Sequence, residues 1–376
     1  MSEPVVDAGL LSSDAPVVNG EDARRAAREL YGLDAVATAL AGERDANFQL
    51  TADSRPRRMV KLINTALDRP RPMVKFTLPA EDRPRWMLKF INPAESLAES
   101  NFQDALLRHV ARRAPGLPVP RLIEALQPGE GPFCSVDGRP LRVRLVTWLA
   151  GTPLHQVTAS PMVLNSLGCG LARLDLALAE FHHPAAKRSL LWNSSDPGRV
   201  RPYLAGIKEP AQRRLLGDIL DRFEERVPLR LAALRHQVIH NDFNPHNVLL
   251  NLGASDLGGI IDFGDALYAP LVNELATALA YQVSEGDDVL ARMPPFVAGY
   301  HQLLPLSDEE IHLLPMLIAA RLALSVILTQ WRARRYPANR AYILRHMARA
   351  WDGVQKLWSL SPDEIAHRLG EARFIK

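Results

Sequence analysis

The sequence predicts an α+β protein of two parts: a small N-terminal part with an antiparallel sheet and a larger, mainly helical C-terminal part. Three observations indicate this. The chain has 376 residues, more than one ordinary domain needs. Strand and turn patterns are frequent up to Gly151, and helical periodicity dominates after it. A cluster of short strands at 237–264 then interrupts the helices. We place a mobile tail at 1–20, the first part at 21–146 and the second at 147–376.

In the first part, Asn19 is the expected cap of a helix that runs to about Tyr31 and is ended by Gly32. The other elements follow from apolar periodicity and turn residues. They are a short helix at 34–41, a strand at 47–51, a helix at 94–113, and strands at 122–126 and 141–149.

A 14-residue segment occurs three times between residues 55 and 96. Its conserved cores are RPRRMVK at 55–61, RPRPMVK at 69–75 and RPRWMLK at 83–89. Three copies of this length do not make a repeat-protein fold. We interpret them as a local duplication whose extra copies form a loop or added strands, because surface insertions cost little free energy. A basic docking segment is the alternative.

In the second part, four stretches have helical periodicity, at 161–184, 209–236, 272–304 and 308–360.

Composition excludes several classes of protein. Hydrophobic residues make up 47% and charged residues 23%, which is typical of a globular chain. The formal net charge of +3 does not suggest a nucleic-acid partner. Cys134 and Cys169 are too few for a disulfide framework, and no uninterrupted run of about 18 apolar residues suggests a membrane span. No signal peptide is visible, so we expect a cytoplasmic location; the sequence does not indicate an oligomeric state.

The most informative stretch is residues 238–250, where the polar loop HNDFNPHN at 240–247 lies between two apolar strands. Residues 260–265, IIDFGD, follow after a short hairpin. This order and spacing match the sites that transfer phosphoryl groups from ATP. Asp242 suits the carboxylate that orients the attacking hydroxyl and accepts its proton. Asn247 and Asp262 suit oxygen ligands of Mg²⁺, which takes few ligands from protein.

On these motifs the chain resembles the aminoglycoside phosphotransferase/choline kinase superfamily, which has a protein-kinase-like fold, and within it the hydroxylysine-kinase-like branch. The resemblance covers about residues 22–360. It rests on residues 42–48, on Lys89 with 92–95, on 240–247 and on 261–265. Weaker similarity lies at 171–175, 181–184, 192–193 and 320–321.

The resemblance implies a two-lobed fold that uses ATP and Mg²⁺. It implies that residues 45–50, including Asn47 and Phe48, form a hairpin over the nucleotide, and that Lys89 contacts the phosphates. It also implies that residues 145–149, with Thr147 and Leu149, link the lobes and meet the adenine through their backbone.

Two departures from the family pattern concern the phosphate-binding lysine. The duplication makes Lys61 and Lys75 rivals of Lys89; Lys89 is favoured because a helix start follows it, and Lys61 is the runner-up. Protein kinases pair this lysine with a helix glutamate. Here Gln103 occupies about that position, with Glu99 and Asp104 as alternatives.

The acceptor pocket is expected near Asp242. Asp265 and Glu274 are acidic candidates for binding an amine, whereas Asp175 and Asp196 are expected to be surface acids or local ion-pair partners. Arg321 lies in an apolar helix and requires a partner, either an internal acid or a substrate carboxylate. Trp192 and Trp331 are candidates for the pocket wall, although large aromatic residues are usually part of the core.

The sequence therefore predicts a phosphotransferase that acts on a hydroxyl of a small amine-bearing metabolite, such as hydroxylysine or a related amino alcohol. The alternatives are a kinase of aminoglycoside-type antibiotics and a nucleotide-binding pseudokinase or regulatory module. A protein kinase is disfavoured because only residues 265–270 separate Gly264 from the next helix, which leaves no room for a long activation loop.

Overall fold

The computed structural model describes residues 13–42, 44–53, 83–127, 129, 131–284, 286–337, 340–344 and 347–375. Most of the predicted tail and the first two copies of the repeated segment, with Lys61 and Lys75, lie outside the described residues. The described residues form two compact units. The sheet unit comprises those between 13 and 104 and between 120 and 148, and the helical unit comprises those between 105 and 119 and from 149 to 375.

The sheet unit begins with helix α1, Gly20–Tyr31. Asn19 caps it as predicted: its Oδ1 accepts from the backbone N–H groups of Glu21 at 2.8 Å and Asp22 at 2.9 Å. Gly32 ends the helix with a φ of +67°, a left-handed conformation that glycine adopts without steric cost.

A five-stranded antiparallel sheet forms the rest of this unit's framework. In chain order the strands are β1 (Ala35–Leu40), β2 (Ala46–Ala52), β3 (Arg85–Phe90), β4 (Phe133–Val136) and β5 (Arg139–Thr147). Their spatial order is β1-β2-β3-β5-β4. Apolar side chains on one face, among them Phe48, Leu50, Trp86 and Leu88, form a core with the alanines of α1.

Two sequence predictions in this unit are wrong. The segment 34–41, predicted as a helix from its alanines, is strand β1, which pairs with β2 from Ala35↔Ala52 to Leu40↔Asn47. Pairing with a neighbouring strand overrides the weak helix propensity of so short a segment. The segment 122–126 is not a strand either: it follows β5 only briefly, through a single bridge between Leu122 and Val146.

Helix α2, Leu97–Arg113, follows β3 and begins three residues later than predicted. Ser96 precedes it, and its Oγ accepts from the backbone N–H of Glu99 at 3.2 Å while the Glu99 carboxylate accepts from the Ser96 N–H at 3.0 Å. This reciprocal pair is a capping box, which explains the late start.

The helical unit contains nine further helices among the described residues. They are α3 (Pro161–Leu178), α4 (Pro210–Arg226), α5 (Pro228–Ala232), α6 (Val272–Ala280), α7 (Met293–Leu303), α8 (Asp308–Arg335), α9 (Arg340–Ile343), α10 (Met347–Trp358) and α11 (Pro362–Glu371). Three of the predicted long helices are divided. Proline accounts for one break, since Pro228 opens α5 directly after α4; Pro294 lies in the first turn of α7, where proline is tolerated.

Helix α8 is the central element of this unit and packs against α4, α6, α10 and α11. Among the described residues it alone is long and apolar enough to cross a membrane, but 89% of that apolar window is buried inside the protein. Core helices of folded proteins have the same composition, so its length and hydropathy are explained by its central position.

Five short strands lie between the helices, and they position the functional loops. Strand β6 (Thr152–Pro153), β8 (Val248–Leu250) and β9 (Leu257–Ile260) form one antiparallel sheet, and β7 (His236–Ile239) pairs with β10 (Leu267–Pro270). The predicted strand cluster at 237–264 is therefore present. The α+β fold class, with an antiparallel N-terminal sheet and a mainly helical C-terminal part, is confirmed.

Candidate active site

The loop at 240–247 connects β7 to β8, and His240 fixes its start. The side chain of His240 is fully buried. Its Nδ1 accepts from the backbone N–H of Asp242 at 3.2 Å, and its Nε2 lies 3.0 Å from the carbonyl of Ile261. These two contacts require the neutral tautomer with the proton on Nε2. His240 thereby connects the Asp242 loop to the residue that precedes Asp262.

Asn241 takes a left-handed conformation with a φ of +64°, which is uncommon outside glycine. Two buried contacts hold it there. Its backbone N–H donates to Oε2 of Glu274 at 2.9 Å, and its side-chain amide donates to the carbonyl of Asp265 at 3.3 Å. The surrounding structure therefore determines the backbone direction immediately before Asp242.

Asp242 lies between two donors. Nη2 of Arg321 donates to its Oδ1 at 3.2 Å, and Nδ2 of Asn247 donates to its Oδ2 at 2.7 Å. The amide of Asn247 also donates to the Asp242 carbonyl at 3.1 Å. The carboxylate is fixed in orientation, and 20% of the side chain remains exposed. Burial, and then the nearby charge of Asp265, raise the pKa of Asp242 to about 7, although the Arg321 guanidinium opposes the rise.

Arg321 has an internal acid as its partner, one of the two alternatives that the sequence left open. The guanidinium is buried, donates from Nη1 to the carbonyl of Trp192 at 2.8 Å and lies 5.4 Å from the centre of the Trp192 ring. A planar guanidinium can bridge two acceptors in this way. Substrate contact by Arg321 remains a prediction.

Asp262 follows β9 at the end of the hairpin and, like Asn241, has a positive φ, of +62°. Its Oδ1 accepts from the backbone N–H of Gly264 at 3.3 Å. The backbone N–H of Ile261 donates to the carbonyl of Asn247 at 2.9 Å, and β8 pairs with β9 through Val248 and Ile260. The hairpin thus places Asn247 and Asp262 at neighbouring strand ends.

These two residues fit the predicted Mg²⁺ site by their chemistry. The Asn247 amide nitrogen is turned toward Asp242, so the amide oxygen is not used by that contact. Among the described residues no group of three His, Cys, Asp or Glu side chains is placed to hold a metal ion. One amide and one carboxylate suit Mg²⁺, which keeps most of its coordination sphere for water and phosphate oxygens.

The acidic candidates have different environments. Glu274, in the first turn of α6, is fully buried and holds the Asn241 backbone rather than capping its own helix; burial raises its pKa. Asp265 is nearly buried beside Asp242. Asp175, expected to be a surface acid or a local ion-pair partner, is instead fully buried in α3 and accepts from the hydroxyl of Tyr300 at 2.6 Å. Asp196 is exposed.

The two tryptophans proposed for the pocket wall also differ. Trp192 contacts Arg321 as described, whereas Trp331 is nearly buried against Tyr203, with ring centres 4.8 Å apart. Trp331 is therefore a core residue.

In the sheet unit, Lys89 lies on β3 between Asn47 of β2 and Arg144 of β5. Its Nζ is 4.0 Å from Oδ2 of Asp45, in the turn before β2. Contacts are described for each predicted partner: Asp104 pairs with Arg142 at 2.8 Å and Arg144 at 2.5 Å, Gln103 accepts from Arg144 at 2.7 Å, and Glu99 caps α2. Asp45 is therefore an acid beside Lys89 that the sequence analysis did not name as a partner.

Gly42 lies just before the hairpin that the resemblance places over the nucleotide, and the structure explains why this residue is a glycine. A Cβ at Gly42 would lie 2.4 Å from Nδ2 of Asn47, so glycine allows this side chain to fold over the turn. Phe48 is buried against Phe90, so only its backbone is available to a ligand.

Thr147 and Leu149, the two residues named in the predicted linker, belong to different units. The hydroxyl oxygen of Thr147 accepts from the backbone N–H of Arg121 at 2.9 Å in the sheet unit. Leu149 packs closely on Gly259 in the helical unit. Nucleotide contacts by Asn47, Phe48, Thr147, Leu149 and Lys89 stay predictions.

Arg188 is a further residue that the sequence analysis missed. Its Nη2 donates to the carbonyl of Gly264 and its Nε donates to the carbonyl of Ala266 at 2.9 Å. It therefore fixes the segment that follows Asp262. Nothing in the local sequence of residues 184–190 signals this role, because the two carbonyls are about 80 residues away along the chain.

A kinase-like sheet unit followed by a helical unit with a His-Asn-Asp loop and an Asp-Phe-Gly turn defines the fold and site class of phosphotransferases. The family model described as the phosphotransferase enzyme family matches residues 36–310. The chain belongs to this family, which confirms the resemblance drawn from its motifs.

The chain is similar to hydroxylysine kinase of Mus musculus, with 28% identity over 234 residues that are 59% of this chain and 62% of the relative. It is 32% identical to homoserine kinase of Chelativorans sp. (strain BNC1) over 60% of this chain and 66% of that one. The match therefore spans less than two thirds of these relatives' length. Among solved structures, an amicoumacin kinase in complex with AMP-PNP and Ca²⁺ superposes with a TM-score of 0.63 and 15% identity, over 93% of this chain and 97% of that one.

Proposed function

We propose that this protein transfers the γ-phosphoryl group of ATP, with Mg²⁺, to a hydroxyl group of a small amine-bearing metabolite. Hydroxylysine and homoserine are the acceptors named for its relatives and are the first candidates. Membership of the phosphotransferase family supports the reaction class.

The fixed carboxylate of Asp242 is the observation that carries this proposal. Two donors on different elements, Arg321 of α8 and Asn247 of the loop, hold it in one orientation while part of it stays accessible. A group held in this way can align an acceptor hydroxyl, and alignment supplies much of the rate enhancement of phosphoryl transfer.

In the proposed reaction, the acceptor oxygen forms a bond to the γ-phosphorus while the bond between that phosphorus and the β,γ-bridging oxygen breaks. ADP leaves with the bridging oxygen, and the hydroxyl proton passes to Asp242 and then to solvent. Asn247 and Asp262 would hold the Mg²⁺, which when bound neutralises charge on the phosphates. Lys89 is the proposed phosphate-binding lysine, with Lys61 and Lys75 as rivals.

The proposal is tested by measuring ADP production with ATP and a panel of hydroxy amino acids, amino alcohols and aminoglycosides, with and without Mg²⁺. We expect turnover with a hydroxy amino acid or amino alcohol that EDTA abolishes and Mg²⁺ restores. Turnover confined to aminoglycosides would assign the antibiotic-kinase alternative. Mg²⁺-dependent ATP binding without any product across the panel would contradict the proposal and support a pseudokinase.

A further inference from the structure

A polar cavity of about 340 Å³ lies in the helical unit between residues 187–190 and 193–199. It is large enough for a small metabolite. Its wall contains Lys187, Arg188, Ser189, Asn193, Asp196 and Arg199. The cavity was not predicted, because its residues have no motif and belong to irregular turns and a 3₁₀ segment, Pro197–Gly206.

The charges in this wall are unbalanced. Three cationic side chains face one carboxylate, that of Asp196. Arg188 already donates to the carbonyls of Gly264 and Ala266. Nη1 of Arg199 donates to the Ser189 hydroxyl, and the Lys187 ammonium lies 5.4 Å from the centre of the Tyr268 ring. The side-chain contacts described for Arg199 and Lys187 are thus with a hydroxyl and an aromatic ring rather than with a carboxylate, so the cavity favours an anion.

Hydrogen bonds connect the cavity region to the segments around Asp242 and Asp262. Trp192, next to the lining residue Asn193, accepts from Nη1 of Arg321, and Nη2 of the same guanidinium donates to Asp242. Arg188, which lines the cavity, contacts the segment that follows Asp262. The Arg321 side chain therefore links Trp192, one residue from the cavity wall, to the proposed base.

We propose that this cavity binds the head group of an α-amino acid acceptor, with the carboxylate at Lys187 and Arg199 and the α-ammonium at Asp196. The inference rests on the proposed function and narrows its substrate class from amine-bearing alcohols to zwitterionic hydroxy amino acids. Lys187 and Arg199 are then residues that determine specificity. A hydrogen-bonded ion pair with a carboxylate adds binding that an amino alcohol cannot obtain.

The test compares acceptors that differ only in the carboxylate. The pairs are L-homoserine with 3-amino-1-propanol, and 5-hydroxy-L-lysine with 1,5-diaminopentan-2-ol. We expect kcat/KM to be roughly 10- to 100-fold higher for the amino acid of the pair that the enzyme accepts, which is the effect of one charge-assisted contact. Equal kcat/KM within such a pair would overturn the inference while leaving the proposed function intact.

Two variants test whether the preference for acceptors with a carboxylate arises from the cavity. Arg199→Gln and Lys187→Gln should each raise KM for the amino acid about 10-fold or more and leave KM for its decarboxylated partner within about twofold. Both side chains reach the surface, so the variants are expected to fold, and thermal unfolding verifies this. Arg226→Gln, at an exposed arginine of α4 outside the cavity, is the matched control and should change neither constant.

Two further outcomes separate the possible sources of the anion. A rise in KM for ATP, with KM for the acceptor unchanged, would mean that the cavity binds a nucleotide phosphate and would overturn the inference. Absence of turnover with every acceptor would instead count against the proposed function, because no acceptor would then be available to discriminate.

Discussion

At the scale of residues, the site depends on one buried arginine that joins two acceptors. Arg321 neutralises Asp242 in a region that also contains Asp262 and Asp265. A carboxylate so close to other acids requires a compensating cation. The position of Arg321 within α8 therefore links the stability of the central helix to the orientation of the proposed base.

We predict that Arg321→Met destabilises the protein by about 2–4 kcal/mol, because it leaves Asp242 beside Asp265 without a cation. Arg321→Lys should recover part of this loss, because an ammonium restores the charge but not the planar bridge to Trp192. Urea denaturation measures both. Arg226→Met, at an exposed position, is the control. A free energy of unfolding for Arg321→Met within about 0.5 kcal/mol of the wild type would contradict this account.

The sequence allowed the candidate catalytic and metal-binding residues to be proposed, but not the contacts that hold them. Asp242, Asn247 and Asp262 could be proposed because their spacing along one strand–loop–hairpin segment is local. Glu274, Asp175 and Arg188 could not be assigned, because their contacts connect distant segments: Glu274 holds the Asn241 backbone, and Asp175 accepts from Tyr300, 125 residues away. A polar residue in an apolar helix signals burial, but not the identity of its partner.

At the scale of elements, the hairpin of β2 and β3 is informative because the repeated segment lies within it. β2 ends at Ala52 and β3 begins at Arg85, and the two strands pair in antiparallel register from Ala46↔Phe90 to Thr51↔Arg85. The third copy of the repeat supplies β3 itself, with Lys89. Among the described residues, the register of β2 with β3 uses only the third copy.

We predict that deletion of residues 55–82 leaves a folded protein, because a four-residue connection is a common length for a β-hairpin. The free energy of unfolding should be unchanged or should rise by up to about 2 kcal/mol, the entropy of closing a shorter loop. Circular dichroism and urea denaturation measure this. Retained turnover in the deletion variant would favour Lys89 over Lys61 and Lys75. Failure of the variant to fold would show that the first two copies are required by the sheet.

Secondary structure was predictable where periodicity was long and local. The bounds of helix α2 and strand β2 lie within three residues of those predicted. The long helical stretches of the second part were also predicted, but the positions where they break were not. The segment 34–41 failed because six residues of alanine, valine, threonine and leucine fit either state, and only pairing with β2 selects the strand.

At the scale of the whole molecule, buried carboxyl groups make stability depend on pH. Burial, and then the charge of Glu274, raise the pKa of Asp175 well above its usual range. The folded protein therefore binds a proton that the unfolded chain loses near pH 4. Above that pH the unfolded state holds fewer protons than the folded state, so the contribution of Asp175 to the free energy of unfolding falls as pH rises.

We predict that Asp175→Asn removes this dependence, since a neutral amide retains an acceptor for the Tyr300 hydroxyl. Relative to the wild type, the variant should gain stability between pH 5 and pH 8, by at most about 1.4 kcal/mol for each pH unit. Urea denaturation at several pH values measures the difference. Asp218→Asn, at an exposed aspartate of α4, is the control. A difference that does not vary with pH would show that Asp175 is ionised in the folded state.

The central claim, that Asp242 orients the acceptor hydroxyl and accepts its proton, is tested most directly by the turnover of Asp242→Asn. Asparagine keeps the size of the side chain and removes the proton acceptor. We predict that turnover falls by about 100-fold or more while ATP affinity stays within a few-fold of the wild type, and that Asp218→Asn has no effect. A folded Asp242→Asn protein that turns over at the wild-type rate would contradict it.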